Sequence, residues 1–186
     1  MMTDDADIVT RLKAGDPDAA NDLVNAYGMR LLRSAILLCG NEADAQDIVQ
    51  ETLITAVKAI QRFRGRSALY TWLHGILINT SRHALRKRRS TVALDDVAEP
   101  VAPDNPVLQA DCNSRSAVLL EFLDTLSAEH REVLVMRYFD DMKINDIATA
   151  LGVRTGTVKS RLHYALAALR DTLPREMNLS ALAGHA

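Results

Sequence analysis

Residues 144–169 read INDIATALGVRTGTVKSRLHYALAAL, and this stretch carries the clearest structural pattern in the chain. Apolar residues at helical spacing between Ile144 and Leu151 predict a short helix that ends at Gly152. A turn follows, and a second helix is predicted to begin at Thr155. Two helices joined by a tight turn form a helix-turn-helix, whose second helix enters the major groove of DNA. The sequence therefore predicts a DNA-binding module.

The predicted second helix has an apolar side and a polar side. At about 100° per residue, the apolar stripe that must pack inward comprises Val158, Leu162, Ala165, Leu166 and Leu169. Small and hydroxylated residues on the opposite side allow close approach to bases, and flanking cations suit phosphate contacts. The candidate DNA-contacting residues of this helix are Thr155, Thr157, Lys159, Ser160, Arg161, His163 and Tyr164. The alternative is an ordinary amphipathic helix within a bundle.

The net charge of −2 conceals a segregation of charge along the 186 residues. A basic cluster formed by Arg82 and residues 86–89 precedes an acidic run from Asp95 to Asp111. Charge sorted into blocks is a more informative sign of a nucleic-acid partner than the average. With 48% hydrophobic residues, the chain can form packed cores of one or two domains.

The helical patterns fall into two blocks separated by a proline-containing stretch. We predict an all-α protein with two small helical domains at 1–89 and 113–173, an acidic linker at 90–112 and a tail at 174–186. Pro100, Pro103 and Pro106 preclude a continuous helix in the linker, which is interpreted as an extended tether between separately folded units. The helices predicted in the first domain are Asp4–Ala14, Pro17–Leu38, Glu42–Phe63 and Leu69–Arg88. In the second, Ser127 is predicted to cap a helix over Ala128–Phe139.

A second candidate DNA surface lies on the helix predicted over Leu69–Arg88. One side of it carries an aromatic, a glycine, an amide and two arginines, at Trp72, Gly75, Asn79, Arg82 and Arg86. The arginines supply positive charge, and Trp72 could support an unstacked base, although a lone tryptophan is more often part of a core. The preceding loop adds basic and polar candidates, namely Arg62, Arg64, Arg66 and Ser67.

The helix predicted over Glu42–Phe63 carries an acidic stripe opposite its apolar side. The stripe contains Asp44, Asp47 and Glu51, with Gln50 beside them. An acidic surface cannot bind DNA, so the stripe is either solvated or meets a basic protein. The residues alone leave both readings open, with solvation the default.

Other function classes lack support in the sequence. The chain has no Gly-rich phosphate loop, metal-ligand cluster or nucleophile–base set, so we expect no catalytic residue, no cofactor and no metal site. Cys39 and Cys112 match no metal spacing and are expected to be unpaired thiols. The acidic N-terminus is not a signal peptide, and no apolar run approaches the ~20 residues of a membrane span. The expectation is a soluble, cytoplasmic protein.

Taken together, these motifs resemble bacterial RNA polymerase sigma factors of the sigma-70 family, in particular the extracytoplasmic-function (ECF) group. The signature of sigma region 2 is matched by Asp44–Thr52 (DAQDIVQET) and by Trp72, Leu73, Ile76 and Asn79. The signature of region 4 is matched by Leu126–Leu134 and by Gly156–Arg161. Helix-turn-helix regulators share much of the second signature, but both signatures in this order are highly specific.

The resemblance implies a role for each surface. The acidic helix, with Asp44, Asp47, Gln50 and Glu51, would bind core RNA polymerase. The loop and helix carrying Arg62, Arg64, Arg66, Ser67, Trp72, Asn79, Arg82 and Arg86 would open the −10 element of the promoter and capture a flipped base. The predicted recognition helix would read the −35 element. An anti-sigma factor is expected as a further partner, by resemblance only.

Two other functions remain open at this point. A helix-turn-helix regulator could bind an operator as a dimer without polymerase, but that function leaves the acidic stripe and the Trp72 surface unexplained. A sigma mimic could titrate a sigma-binding partner, but it would not need the basic surface. Binding to core polymerase and promoter-dependent transcription discriminate among the three.

Overall fold

A computed structural model of the chain describes residues 4–92 and 113–172, and within these ranges the fold is all-α. The N-terminal block contains α1 (Asp5–Ala14), α2 (Asp18–Cys39), α3 (Glu42–Ala59) and α4 (Leu69–Val92). The C-terminal block contains α5 (Asn113–Thr125), α6 (Ala128–Tyr138), α7 (Ile144–Leu151) and α8 (Thr155–Thr172). In these two ranges no helix combines the length and apolar character that crossing a bilayer requires.

Capping residues set several of these boundaries. The side chains of Asp4 and Asn41 accept hydrogen bonds from backbone N–H groups in the first turns of α1 and α3. Gly15 and Gly40 end α1 and α2 in the left-handed conformation, with φ of 81° and 85°. The predicted helix starts and ends therefore agree with the structure to within a few residues at these positions.

The end of α3 differs from the prediction. The helix over Glu42–Phe63 gives way after Ala59 to a single 3-10 turn, Ile60–Arg62, and Phe63 is extended. The extended backbone places the Phe63 ring in the core, where its centroid lies 5.1 Å from that of Trp72. Tertiary packing of this ring thus accounts for the early end of α3.

The helix-turn-helix is formed by α7 and α8, as the sequence predicts. Gly152 ends α7 in the left-handed conformation, and the carbonyl of Arg154 accepts the first backbone hydrogen bonds of α8. The predicted apolar stripe of α8 faces inward: Val158 and Ala165 are fully buried and Leu162 and Leu169 nearly so. Ser127 caps α6 by accepting from the backbone N–H of His130.

The two blocks pack against each other through a shared hydrophobic core. Leu73 and Leu77 of α4 belong to the same buried cluster as Val133 and Met136 of α6 and Ile147 of α7. In this structure the two blocks are therefore not the separate units that the sequence predicted. We call this packing of one block against the other the closed arrangement. Apolar side chains on α4, α6 and α7 face one another across the blocks, and their burial favours association.

Other predictions fall on residues that the structure does not describe. The linker after Val92, its acidic residues and prolines, the tail from Leu173 and Cys112 all lie outside the described ranges.

Candidate nucleic-acid and protein interfaces

The polar side of α8 is accessible along most of its length. The exposed candidates are Thr155, Lys159, Ser160, His163 and Tyr164, while Thr157 is half-buried. Tyr164 is 62% exposed, and its ring lies 5.6 Å from that of His163. A large aromatic side chain held in solvent next to an imidazole offers apolar and hydrogen-bonding surface to a base edge.

Arg161 differs from its neighbours on this helix. Its side chain is only 16% exposed, and its Nη2 lies 2.7 Å from Oε2 of Glu129 on α6. The guanidinium therefore joins α8 to the start of α6 in the closed arrangement. The sequence periodicity placed Arg161 on a solvent-facing flank, but it could not show that Glu129 is near enough to pair with it.

The loop between α3 and α4 presents a group of cations. Arg62, Arg64 and Arg66 are exposed, and Ser67 is half-buried. Gly65 has a φ of 67°, which favours glycine because a side chain is strained there. The loop turns back at this glycine, so the arginines extend from one short segment and concentrate positive charge.

The candidate surface on α4 is divided by the C-terminal block. Asn79 and Arg86 are exposed, whereas Trp72 is half-buried against Phe63. A Cβ added at Gly75 would lie 3.0 Å from the backbone oxygen of Ala150 on α7. Gly75 was predicted to lie on the DNA-facing side of this helix, but in the closed arrangement it permits the backbone of α7 to approach.

Arg82 is bound by an acid from the other block. Its Nε and Nη2 lie 2.7 Å and 2.5 Å from the two carboxylate oxygens of Glu132 on α6. Glu132 is 3% exposed, and hydrogen bonding to it raises the pKa of Arg82 above its ordinary value. This two-point geometry is the strong form of a guanidinium–carboxylate pair. A candidate DNA-binding cation is thus neutralised by the chain itself.

A second polar contact between the blocks centres on Asp140, which follows α6. Its Oδ1 accepts hydrogen bonds from Ser34 Oγ at 2.8 Å and Tyr70 Oη at 2.7 Å, and its Oδ2 lies 3.4 Å from Nε2 of the fully buried His74. Burial and the Asp140 carboxylate raise the pKa of Tyr70 above its ordinary range. The sequence did not predict this contact, since its only local signal was an acid two residues after a helix with a buried apolar face.

The acidic stripe of α3 faces solvent. Asp47, Gln50 and Glu51 are exposed, and Asp44 lies 3.0 Å from a guanidinium nitrogen of Arg88. The opposite side of α3 is buried, as its apolar character predicts, and comprises Ala45, Ile48, Val49, Thr52 and Ala56. In the free chain the acidic stripe is thus solvated, as expected by default. The same exposure leaves it accessible to a protein.

Apolar residues extend this stripe toward the end of α3. Ile54 is 40% exposed and Val57 38%. Ile54 lies seven residues after Asp47, so both occupy one side of the helix. These two apolar groups would be desolvated if a protein bound to this side of α3. Sequence reasoning missed these two residues because it followed charge alone.

A cleft lies between the blocks beside the Arg82–Glu132 pair. It has a volume of about 1070 Å³ and is lined by apolar and charged residues, including Leu38, Leu85, Arg86 and Arg131. Arg131 fixes one wall, since it donates to the backbone oxygen of Leu38 at 3.0 Å and pairs with Asp124 at 2.9 Å.

Neither metal nor thiol chemistry finds support in the described residues. Between residues 4 and 92 and between 113 and 172, no group of three His, Cys, Asp or Glu side chains could hold a metal ion. Cys39 is buried, and burial raises the pKa of its thiol to about 11. A thiol that keeps its proton at neutral pH is a poor nucleophile.

Comparison with protein families assigns both blocks. Residues 23–91 match the model of sigma-70 region 2, and residues 122–171 match the model of sigma-70 region 4. Region 2 followed by region 4 defines the class of RNA polymerase sigma factors. The chain belongs to the sigma-70 family, and its relatives place it in the ECF group.

Curated relatives match over most of their length. The chain is 33% identical to the RNA polymerase sigma-H factor of Pseudomonas aeruginosa, over 93% of this chain and 96% of that protein. It is 28% identical to the ECF sigma factor SigW of Bacillus subtilis, over 89% and 94%. It is 36% identical to the ECF sigma factor SigL of Mycobacterium tuberculosis, over 81% and 86%.

Solved structures share the fold. The sigma factor RpoE of Bartonella quintana, in complex with the anti-sigma factor NepR, matches with a TM-score of 0.70 and 28% identity, over 84% of this chain and 99% of that one. CnrH in complex with the cytosolic domain of CnrY matches with a TM-score of 0.72 and 23% identity, over 93% and 99%.

Proposed function

We propose that this chain is a promoter-specificity subunit, which binds core RNA polymerase and directs it to initiate transcription at a particular set of promoters. The observation that carries the proposal is the presence of both sigma regions, in order, on a chain with one acidic and two basic or polar surfaces. The subunit has no catalytic activity of its own. It acts in the cytoplasm, where polymerase and promoter DNA are found.

The acidic stripe of α3 is the proposed docking surface for core polymerase. Asp44, Asp47, Gln50 and Glu51 would meet a basic helical surface, and the exposed Ile54 would add an apolar contact. Opposite charges steer the encounter of the two proteins and fix its register, while the apolar group is desolvated on docking.

The loop Arg62–Ser67 and the exposed side of α4 are the proposed surface for the −10 element. Arg62, Arg64 and Arg66 would hold the backbone of an opened strand, with Ser67 at the end of the loop. The remaining residues proposed for this element are Trp72, Asn79, Arg82 and Arg86. Extruding a base costs a few kcal/mol, which backbone contacts and a stacking surface must offset.

The polar side of α8 is the proposed reader of the −35 element. Thr155, Thr157, Ser160, His163 and Tyr164 would approach bases, and Lys159 would contact phosphates. We assign Arg161 a supporting role, because its mostly buried side chain pairs with the exposed Glu129 and joins α8 to α6.

Promoter binding requires the closed arrangement to open. The labels −10 and −35 differ by 25 positions, which corresponds to roughly 85 Å along B-DNA at about 3.4 Å per base pair. A compact body of about 150 residues has a radius of gyration of only about 15 Å. An anti-sigma partner that prefers the closed arrangement would therefore keep the subunit inactive, since a ligand shifts an equilibrium toward the state that it binds better.

Run-off transcription on genomic fragments with purified core polymerase tests the function. A sigma factor starts transcription at discrete sites only when it is added to core enzyme. A folded chain that directs core polymerase to no start site would contradict the proposal. A dimeric operator-binding regulator would instead bind its site alone, with half-sites one helical turn apart.

Charge reversal tests the docking surface separately. Asp47→Lys with Glu51→Lys should abolish binding to core polymerase while leaving the fold intact, since both side chains are exposed. The matched control is Asp18→Lys with Glu121→Lys, the same charge change at exposed positions of α2 and α5. Equal pull-down of core polymerase by the two double variants would contradict the assignment of α3.

A further inference from the structure

Helix α1 lies before the region 2 match, which begins at residue 23, yet it is firmly attached to the N-terminal block. Ile8 and Leu12 are its buried contacts with the core. Arg11 donates to Asp16 at 2.7 Å and to Asp22 at 2.5 Å, which fixes the C-terminal half of α1 against the start of α2. A helix held in this way can fix the position of a neighbouring segment that it contacts.

That contact is the start of the basic loop. Lys13 Nζ donates to the backbone oxygen of Phe63 at 2.8 Å, and Gln61 Nε2 donates to the backbone oxygen of Lys13 at 2.9 Å. Each side chain thus satisfies a carbonyl on the other segment. The Lys13 carbonyl lies in the last turn of α1, where the oxygens lack intrahelical donors, and the Phe63 carbonyl belongs to extended backbone directly after the 3-10 turn. We call these two bonds the α1 clamp.

The clamp acts at the base of the loop. Phe63 is held on two sides, by Lys13 at its carbonyl and by Trp72 at its ring. Arg64 and Arg66 follow at once, and the chain reverses at Gly65 between them. With Phe63 fixed, the arginines extend from a preorganised stem, and less conformational entropy is lost when they engage a nucleic-acid strand.

We propose that Lys13 and Gln61 are positioning residues for capture of the opened −10 strand, although neither need contact DNA. This inference rests on the proposed function of the loop. Loss of one hydrogen bond of this kind should weaken strand capture about three- to tenfold. Binding to core polymerase and to the −35 duplex should be unchanged, because the clamp touches neither surface.

The test measures holoenzyme binding to a fluorescent single-stranded oligonucleotide, the non-template −10 strand of a promoter found by run-off transcription. Lys13→Met and Gln61→Leu should each weaken binding about three- to tenfold, and the double variant should lose less than the product of the two because the bonds share one clamp. Lys13→Arg retains a donor and should restore binding. The affinity for core polymerase reports on structure alone and should not move, and the free energy of unfolding should fall by no more than the roughly 1 kcal/mol that one such hydrogen bond contributes.

The double variant Arg64→Ala with Arg66→Ala distinguishes failure of the α1 clamp proposal from failure of the proposed function of the loop. If it loses strand binding while Lys13→Met binds like the wild type, the clamp is refuted and the function of the loop stands. If it binds the oligonucleotide like the wild type, the loop does not capture the strand and both proposals fail there. If Lys13→Met weakens core binding and strand binding alike, the residue is merely structural and the inference is overturned.

Discussion

Arg82 of α4 and Glu132 of α6, fifty positions apart in the chain, form a two-point ion pair that joins the N-terminal and C-terminal blocks. The carboxylate is almost fully buried, whereas the arginine side chain is 36% exposed. An arginine assigned to promoter DNA is thus occupied by a carboxylate of the same polypeptide. If Arg82 binds promoter DNA as proposed, DNA phosphates and Glu132 compete for one guanidinium, and opening of the blocks is coupled to engagement of the −10 element.

Glu132→Gln should shift the chain toward an open state. The amide keeps the volume but loses the charge, so Arg82 pairs less well in the closed arrangement and is solvated when the blocks part. Because Arg82 is partly exposed, we expect a loss of about 1–2 kcal/mol, or roughly 5- to 30-fold in the ratio of closed to open molecules. Energy transfer between dyes on the two blocks measures the change.

The control for this substitution is Glu121→Gln, at an exposed acid of α5. Its distance distribution should match that of the wild type. A Glu132→Gln variant with the same distribution would show that the ion pair does not hold the blocks together. Arg82→Ala should also open the chain, but should weaken binding to the −10 element.

Gly75→Ala should open the same interface by steric means. The added Cβ would lie 3.0 Å from the backbone oxygen of Ala150, and a helix backbone cannot yield locally as a flexible side chain can. Gly28→Ala is the matched control, since its Cβ meets only the Val24 side chain at 3.5 Å. Both substitutions favour helix by up to about 1 kcal/mol, so only the clash distinguishes them. Greater compactness of the Gly75 variant in small-angle scattering would contradict this prediction.

Tyr70 should make stability depend on alkaline pH. Burial and the Asp140 carboxylate raise its pKa in the folded state, while the unfolded chain loses the proton near pH 10. Above that pH the unfolded state binds fewer protons than the folded state, so the free energy of unfolding falls as pH rises. Tyr27, whose pKa is raised by burial and by its hydrogen bond to Asp5, contributes in the same direction.

Urea unfolding between pH 7 and pH 11 measures this effect. Tyr70→Phe should cost about 1 kcal/mol at pH 7 through the lost hydrogen bond to Asp140, and should reduce the fall above pH 10 by up to about 1.4 kcal/mol per pH unit. Tyr164→Phe removes an exposed hydroxyl that makes no such contact and serves as the control for the cost at pH 7. Equal slopes for the wild type and the Tyr70 variant would contradict the prediction.

The sequence was sufficient to predict features that depend on the helical spacing of apolar residues. Ile48 and Ala56 on α3, and Val158 and Leu162 on α8, are buried as helical spacing predicts, because the pattern alone defines one side of a helix. Gly152 was sufficient for the turn of the helix-turn-helix, since a left-handed residue is needed there. The family resemblance added the functional roles, which the residues by themselves left open.

The relation between the blocks was not predictable from the sequence. Helical spacing identifies the apolar sides of α4 and α6 but does not show that these two sides meet. The pairing of Glu132 with Arg82 was therefore not predicted. A signal was present, because Glu132 directly precedes a run of four buried apolar residues and a buried acid needs a cation. Gly75 likewise indicated a close approach, but not whether DNA or another helix approaches.

Lys159 and Arg161 lie two positions apart on α8, but replacing each with alanine should have different effects. Lys159→Ala should leave the free energy of unfolding within about 0.5 kcal/mol of the wild type, because the side chain is exposed. Holoenzyme binding to a duplex carrying only the upstream element should weaken at every sequence, with a salt slope smaller by about one. Weakening at one sequence only would show instead that Lys159 reads a base.

Arg161→Ala should act mainly on stability. The substitution removes the 2.7 Å pair with Glu129 and the contact between α8 and α6, at a cost of about 1–2 kcal/mol in the free energy of unfolding. Glu129→Ala should cost less alone, since Glu129 is mostly solvated, and the two losses should not add. An Arg161→Ala variant with the urea midpoint of the wild type and a reduced salt slope for the duplex would instead make Arg161 a phosphate contact, with the Glu129 pair broken whenever α8 is bound to DNA.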